Sequence, residues 1–250
     1  MTIAETFREY LQHLFAGRRT EARDLVLNAQ DRGLPAAKLL MKVVWEAMEQ
    51  IAKLYRGDHI SRVQEHMATR INRMVADQLQ RHLARAPKTG QRMVVVCGEG
   101  EAEELGAQIL SDLFEAKGWY VWFLGCNVPN DEVLQFCGKN SPDVLCIFGT
   151  PPAGVPEVRK LVDLIRNVGV CEEMQVLVSG GVFNRAEGLD EEVKADLFAP
   201  TAEEAIKTVE EHPVRIPKPD LPEPGRRRKR KRKPSQDAAV RKAKMALNSR

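Results

Sequence analysis

From Met93 onward, apolar runs alternate with helical stretches, and the first run carries the chain's most informative segment. Met93-Val94-Val95-Val96-Cys97 is followed by Gly98-Glu99-Gly100 and then by Glu101-Ala102-Glu103-Glu104-Leu105-Gly106. Five apolar residues bounded by a Gly turn read as a buried parallel strand, and the carboxylates after it open a helix. Further runs place strands near 119–124, 143–149, 175–179 and 195–198. Helices fill about 102–117, 130–138, 154–168, 185–192 and 201–211. Five βα units at this spacing predict a doubly wound, flavodoxin-like parallel sheet. Ligands on such sheets sit at the carboxyl ends of the strands, at the switch point between strands 1 and 3.

The first 86 residues carry no strand signal and a repeated helical period. Helices are expected at about 2–15, 19–31, 35–55 and 61–85, broken at Gly17, Gly33-Leu34-Pro35 and Gly57-Asp58-His59. Pro35 near a helix start and Ser61 as an N-cap suit those boundaries. Short connections make this an antiparallel four-helix bundle. The expected organisation is a helical cap over 1–86, an α/β domain over 91–212, and a Pro-rich linker with a basic tail over 213–250. No run approaches the ~18 apolar residues of a membrane span, and the amphipathic, charged start is unlike a signal peptide. Five cysteines without a CxxC pair read as buried free thiols in a reducing, cytoplasmic setting.

The net charge of +3 conceals an asymmetry. Residues 213–250 hold 14 Lys and Arg against 3 Asp and Glu, which leaves 24 basic and 32 acidic residues for the rest. Arg226-Arg227-Arg228-Lys229-Arg230-Lys231-Arg232-Lys233 is an unbroken run of eight cations. Such a run attracts phosphate backbones or an anionic surface. No aromatics interleave, so base stacking is not indicated. Nucleic acid is the expected partner; an acidic protein or the chain's own acidic body compete. Residues 235–247 have the pattern of one short basic helix.

Gly98-Glu99-Gly100 is not a dinucleotide fingerprint, because the third glycine of G-x-G-x-x-G falls at Glu103 and the surrounding carboxylates repel a pyrophosphate. Acidic residues in a first helical turn are also favoured by the helix dipole alone. No nucleophile–base pair or metalloenzyme pattern is evident, so a non-catalytic protein is expected, with any chemistry belonging to a bound cofactor.

Several segments in order carry a resemblance. Tyr55 precedes Glu65-His66 by ten residues. Gly125-Cys126-Asn127-Val128-Pro129 follows strand 2, and Pro142-Asp143 precedes strand 3. Gly180-Gly181 follows strand 4, and Ala195-Asp196 with Thr201-Ala202-Glu203-Glu204-Ala205 ends the domain. Together they resemble the cobalamin-binding module of methionine synthase, small corrinoid methyl-transfer proteins and cobalamin-dependent photoreceptor repressors, over roughly residues 4–211. The resemblance implies cobalamin as cofactor, with Tyr55, Glu65 and His66 over its upper face and His66 as the one imidazole near the metal. It also implies departures. In the family's cobalt-ligand motif D-x-H-x-x-G, the aligned residues here are Glu101, Glu103 and Gly106, so Glu103 stands where the axial His belongs. A carboxylate is a harder ligand than imidazole and suits cobalt less well. The family's S-x-L becomes Phe148-Gly149-Thr150, and Phe148 is expected to plug the groove that takes the cofactor's nucleotide tail. Gly106, Gly180 and Gly181 are expected to let a flat macrocycle approach the backbone. Cobalamin without ligation from below, haem, or no ligand remain open. The expected role is a sensory or regulatory protein acting through the tail; the alternative is a corrinoid methyl carrier for a methyltransferase, or a ligand-free interaction scaffold.

Overall fold

The computed structural model describes residues 2–98 and 101–217, and for 101–103 the backbone alone. They lie in one compact unit, Met1–Lys218. Four helical stretches come first. Helix α1 is Ile3–Phe15, opened by a capping box in which the Thr2 hydroxyl accepts from Glu5 N–H and the Glu5 carboxylate accepts from Thr2 N–H. Helix α2 is Arg19–Asp31. The third stretch starts as α3, Ala36–Leu39, widens into a π-helical segment over Leu40–Trp45, and continues as α4, Glu46–Arg56. Helix α5, Arg62–Gln80, is opened by a second capping box on Ser61 and Gln64 and ends five residues before the expected boundary at 85.

The π segment was not legible in the periodicity and has a visible polar support. Asn72 of α5, fully buried, donates from Nδ2 to the Val44 carbonyl at 3.0 Å and accepts the Tyr10 hydroxyl at 2.9 Å. A widened turn disturbs the i→i−4 ladder, and an outside donor to a carbonyl within it offsets that loss. The Tyr10 hydroxyl, wholly buried, is pushed well above its usual pKa by desolvation and stays a neutral donor.

The second half is an all-parallel sheet in the order β2-β1-β3-β4-β5. The strands are β1 Arg92–Cys97, β2 Tyr120–Gly125, β3 Val144–Phe148, β4 Gln175–Ser179 and β5 Leu197–Ala199. They alternate with α6 Glu101–Ala116, α7 Asn130–Asn140, α8 Val155–Val168, the short α9 Leu189–Glu192, and α10 Ala202–Glu211. The helix expected over 185–192 contracts to that one turn because Gly188, at φ +78°, caps it in the left-handed region. The order is the flavodoxin-like one, with its switch point between β1 and β3.

Although β1, β3 and β4 read as continuous apolar runs, their side chains divide by alternation. Val94, Val96, Leu145, Ile147, Val176 and Val178 join a core with α7 and α8. Met93, Val95, Cys97, Cys146, Phe148 and Leu177 face the other way and form one continuous core with α6, α10 and the helical cap. The cap is thus a third layer on one face of the sheet. Two motif aspartates are structural clamps. Asp143 accepts from Arg92 N–H at 2.7 Å. Asp196 accepts from Val176 N–H at 2.7 Å, from Arg215 Nε at 3.0 Å and from Arg166, which ties β4, α8 and the chain beyond α10 together.

Asp112 of α6 is 7% exposed and lies at the seam with α5. Gln80 Nε2 donates to its Oδ1 at 2.9 Å, and Oδ2 has no partner among the described residues. Desolvation outweighs that hydrogen bond and pushes the carboxyl up to about 7. The unfolded chain releases this proton near pH 4, whereas the folded protein keeps it until about pH 7. Stability therefore falls as pH rises across that window and is lowest above it. Asp112→Asn keeps the acceptor for Gln80 and removes the charge. The expected result is a Tm several degrees higher at pH 8, with a flatter Tm–pH curve between pH 4 and 7. A curve identical to wild type would show that Asp112 is not its source.

Candidate functional site

The register aligns Cys97, Phe148, Ser179 and Ala199 in one row at the carboxyl ends of β1, β3, β4 and β5. The cap stands over this row on the α6 side. Arg73 of α5 makes an ion pair with Glu104 of α6 at 3.0 Å. Trp45, the last residue of the π segment, meets Phe148 edge-on with ring centroids 5.8 Å apart. The indole is fixed in turn by its Nε1, which donates to Glu49 Oε1 at 2.9 Å.

Phe148 is 3% exposed and fills the space at the centre of the site. A Cβ placed on Gly106 would come within 2.5 Å of the Phe148 ring and 3.3 Å of Met48 Cε. A Cβ on Gly180 would come within 2.9 Å of the same ring. Two glycines set against the ring, together with Trp45 and Met48 from the cap, make a slot, and Phe148 is in it. Ser179, its neighbour in register on the same face, has a fully buried hydroxyl with no partner among the described residues. A benzyl ring cannot satisfy that hydroxyl, so the slot carries an unmet polar group beside an apolar occupant.

Gly106 and Gly180 do approach a flat ring closely, but the ring is the protein's own. Gly181 is closed by the backbone of the β3 loop, where an added Cβ would lie 2.4 Å from the Thr150 carbonyl oxygen. Thr150 does not join Phe148 at the slot. Gly149, at φ +69°, turns the chain immediately after β3. Thr150 then lines a separate cavity of about 140 Å³ together with Gly98, Val128 and Leu161. Two residues apart in an extended strand would share a face; the left-handed glycine between them breaks that rule.

On the cap, Tyr55 of α4 is 39% exposed. Glu65 is half-buried, accepting from Thr69 Oγ1 at 3.4 Å, and its other oxygen lies 3.5 Å from His66 Nε2. The His66 side chain is 54% exposed. Tyr55 and His66 are therefore surface-facing, and Glu65 is tucked against α5 between them, at the end of α4 and the start of α5. Glu101 and Glu103 open α6, and their side chains lie outside the described residues, as does the run Arg226–Lys233. Among the described residues no group of three or more His, Cys, Asp or Glu side chains comes together as a metal site. Burial pushes the Cys137 thiol up to about 12 and that of Cys146 higher still, so neither is a nucleophile at neutral pH.

Sequence reading missed the wall opposite the glycine loop. Trp45, Met48, Glu49, Ala52, Lys53 and Arg56 recur at three- and four-residue spacing and form one stripe along the helix. That stripe and the loops after β3 and β4 enclose a cavity of about 260 Å³, which Phe148, Gly149, Gly180, Gly181, Asn184 and Arg185 close from the other side. The stripe was visible in the sequence, but its facing partners are more than ninety residues away. A larger groove of about 950 Å³ lies between α3, α6 and α10, and none of the sequence-predicted site residues lines it. No described helix is long and apolar enough to cross a membrane.

Comparison with known proteins agrees with this geometry. A family model described as "B12 binding domain" matches residues 91–210, and a second of the same description matches residues 6–80. The chain is similar, at 22% identity over 208 residues, to dimethylamine corrinoid protein 1 of Methanosarcina acetivorans, with 81% of this chain and 97% of that protein covered. It is 29% identical over 125 residues to the HTH-type transcriptional repressor CarA of Myxococcus xanthus, with 50% of this chain and 42% of the repressor covered. In fold it is similar to the monomethylamine corrinoid protein of Methanosarcina barkeri, at a TM-score of 0.71 and 18% identity, over 82% of this chain and 97% of that one.

Proposed function

The chain belongs to the cobalamin-binding family, with both the helical cap and the flavodoxin-like domain of its module, and on that premise we propose that it is a corrinoid-holding protein of the methyl-transfer kind, not itself an enzyme. The observation that carries this reading is the extent of the match to a dimethylamine corrinoid protein, which spans cap and sheet and nearly the whole of that relative. It reverses the order of preference reached from sequence, where a sensory role came first.

The fit of a corrinoid to these residues differs from part to part. Gly106, Gly180 and the unpartnered Ser179 hydroxyl are suited to wall a groove for the tail. The groove itself is filled by Phe148, so these residues do not fit a corrinoid whose nucleotide tail is inserted there. In our reading the corrinoid is held with its tail outside, beneath the exposed Tyr55 and His66. Bound corrinoid would supply a cobalt centre able to carry an alkyl group. The chain's own part is to bind the macrocycle, orient it and present it to a partner methyltransferase.

A regulatory reading has its own support in the repressor relative and in the run Arg226–Lys233. The two readings separate in one set of measurements. Purified protein is incubated in the dark with adenosyl-, methyl- or hydroxocobalamin, passed through gel filtration, and read by its ultraviolet–visible spectrum. Retained corrin absorbance is expected, and its absence for all three forms would refute corrinoid holding. Methyl transfer from the loaded protein with a partner methyltransferase supports the carrier. A light-dependent change in salt-sensitive nucleic-acid binding supports the regulator.

A further inference from the structure

The cavity between α4 and the glycine loop carries an excess of positive charge. Lys53 and Arg56 lie on the α4 wall and Arg185 on the wall beyond β4. Among the described residues none of the three has a carboxylate within ion-pair distance, and the one acidic residue on the wall, Glu49, is engaged by the Trp45 indole. Three cations against one carboxylate leave a net positive charge beside a cavity of about 260 Å³, a field that favours an anion there. Their chemistry differs usefully: two guanidinium forks suit bidentate oxyanions, and an ammonium adds a mobile donor. Beneath them Trp45 and Phe148 give an apolar floor, and Asn184 adds an amide at the rim.

We propose that Lys53, Arg56 and Arg185 form an oxyanion subsite at the mouth of the groove that Phe148 closes. It receives an anionic group borne by the ligand, either the phosphodiester of a cobalamin tail held outside or the carboxylates of an acidic tetrapyrrole such as haem. The proposal rests on the corrinoid-holding reading for its ligand and on the cavity for its chemistry. Phe148 and the cations then act together: the ring keeps the tail from entering and the cations hold its charged part at the entrance.

The test titrates the full-length protein with hydroxocobalamin, with cobinamide, which lacks the nucleotide and its phosphate, and with haem. The variant is Lys53→Ala/Arg185→Ala, with Arg56→Ala added as a third step. All three side chains are exposed, and an unchanged Tm confirms that each variant folds. The expected result is that cobalamin binds at least about tenfold tighter than cobinamide, the value of one charge-assisted hydrogen bond, and that the variant erases this difference without weakening cobinamide. Haem binding tighter than either corrinoid and lost in the variant assigns the subsite to carboxylates. Equal affinity for cobalamin and cobinamide without such haem binding, or a preference that survives the variant, overturns it. If no tetrapyrrole binds, the corrinoid-holding reading fails and the subsite is judged by pyrophosphate alone. A rise in Tm with pyrophosphate, absent in the variant, upholds the subsite; no rise overturns it.

Discussion

Phe148→Ala is expected to lower stability by about 3–5 kcal/mol while raising affinity for cobalamin, about tenfold, over that for cobinamide. The loss follows from burial. The ring is held by Gly106, Gly180, Met48 and Trp45 and belongs to the core that joins cap to sheet. Removing it leaves a cavity whose glycine walls have no side chains with which to collapse. The gain follows from the same vacancy, since the emptied slot is flat, apolar on two sides, and carries the unpartnered Ser179 hydroxyl. Urea denaturation reads the first effect and paired titrations the second. Phe148→Ser, which leaves a small polar side chain in place of the ring, should show the same preference. A stability loss without any change in the cobalamin-to-cobinamide ratio would show that the ring is core and excludes nothing.

Asn72→Ala is the second large effect, expected at about 3 kcal/mol. Asn72 is fully buried and completes two hydrogen bonds, one to the Tyr10 hydroxyl on α1 and one to the Val44 carbonyl inside the π segment. Its removal strands a hydroxyl and a carbonyl away from water, and unmet buried groups cost more than the bonds themselves contribute. Tyr10→Phe removes one partner only and should cost about 1 kcal/mol. In the double variant the two costs should fall short of their sum, since both changes dismantle the same bond. Denaturation midpoints at constant slope measure this. A cost within about 0.5 kcal/mol for Asn72→Ala, the range of ordinary surface changes, would remove the network from the account of the π segment.

Much of the architecture was legible because its signals are local. The apolar runs at β1, β3 and β4, the capping residue Ser61, and the glycine breaks between the cap helices each act within a few residues. The order of the parallel sheet followed from the βα alternation and was found as expected. Three features escaped because they are decided at a distance. The π segment over Leu40–Trp45 has its outside donor in Asn72, on another helix. Thr150 lies only two residues beyond Phe148, and the positive φ of Gly149 sends it to another cavity. Lys53, Arg56 and Arg185 carry no motif and share a cavity only because the cap packs over the loop after β4.

The identities of Glu101, Glu103 and Phe148 were determined by the sequence alone, and so was the basic run at 226–233, because residue identity needs no coordinates. What only the tertiary structure decided is the meaning of Phe148. A phenylalanine ending a strand can face either layer or swing to solvent. Here Gly106 from α6, Gly180 from β4's loop and Trp45 from the cap converge on its ring from three separate segments of chain. A slot is a property of walls brought together by folding, and no single stretch of the sequence contains more than one of them.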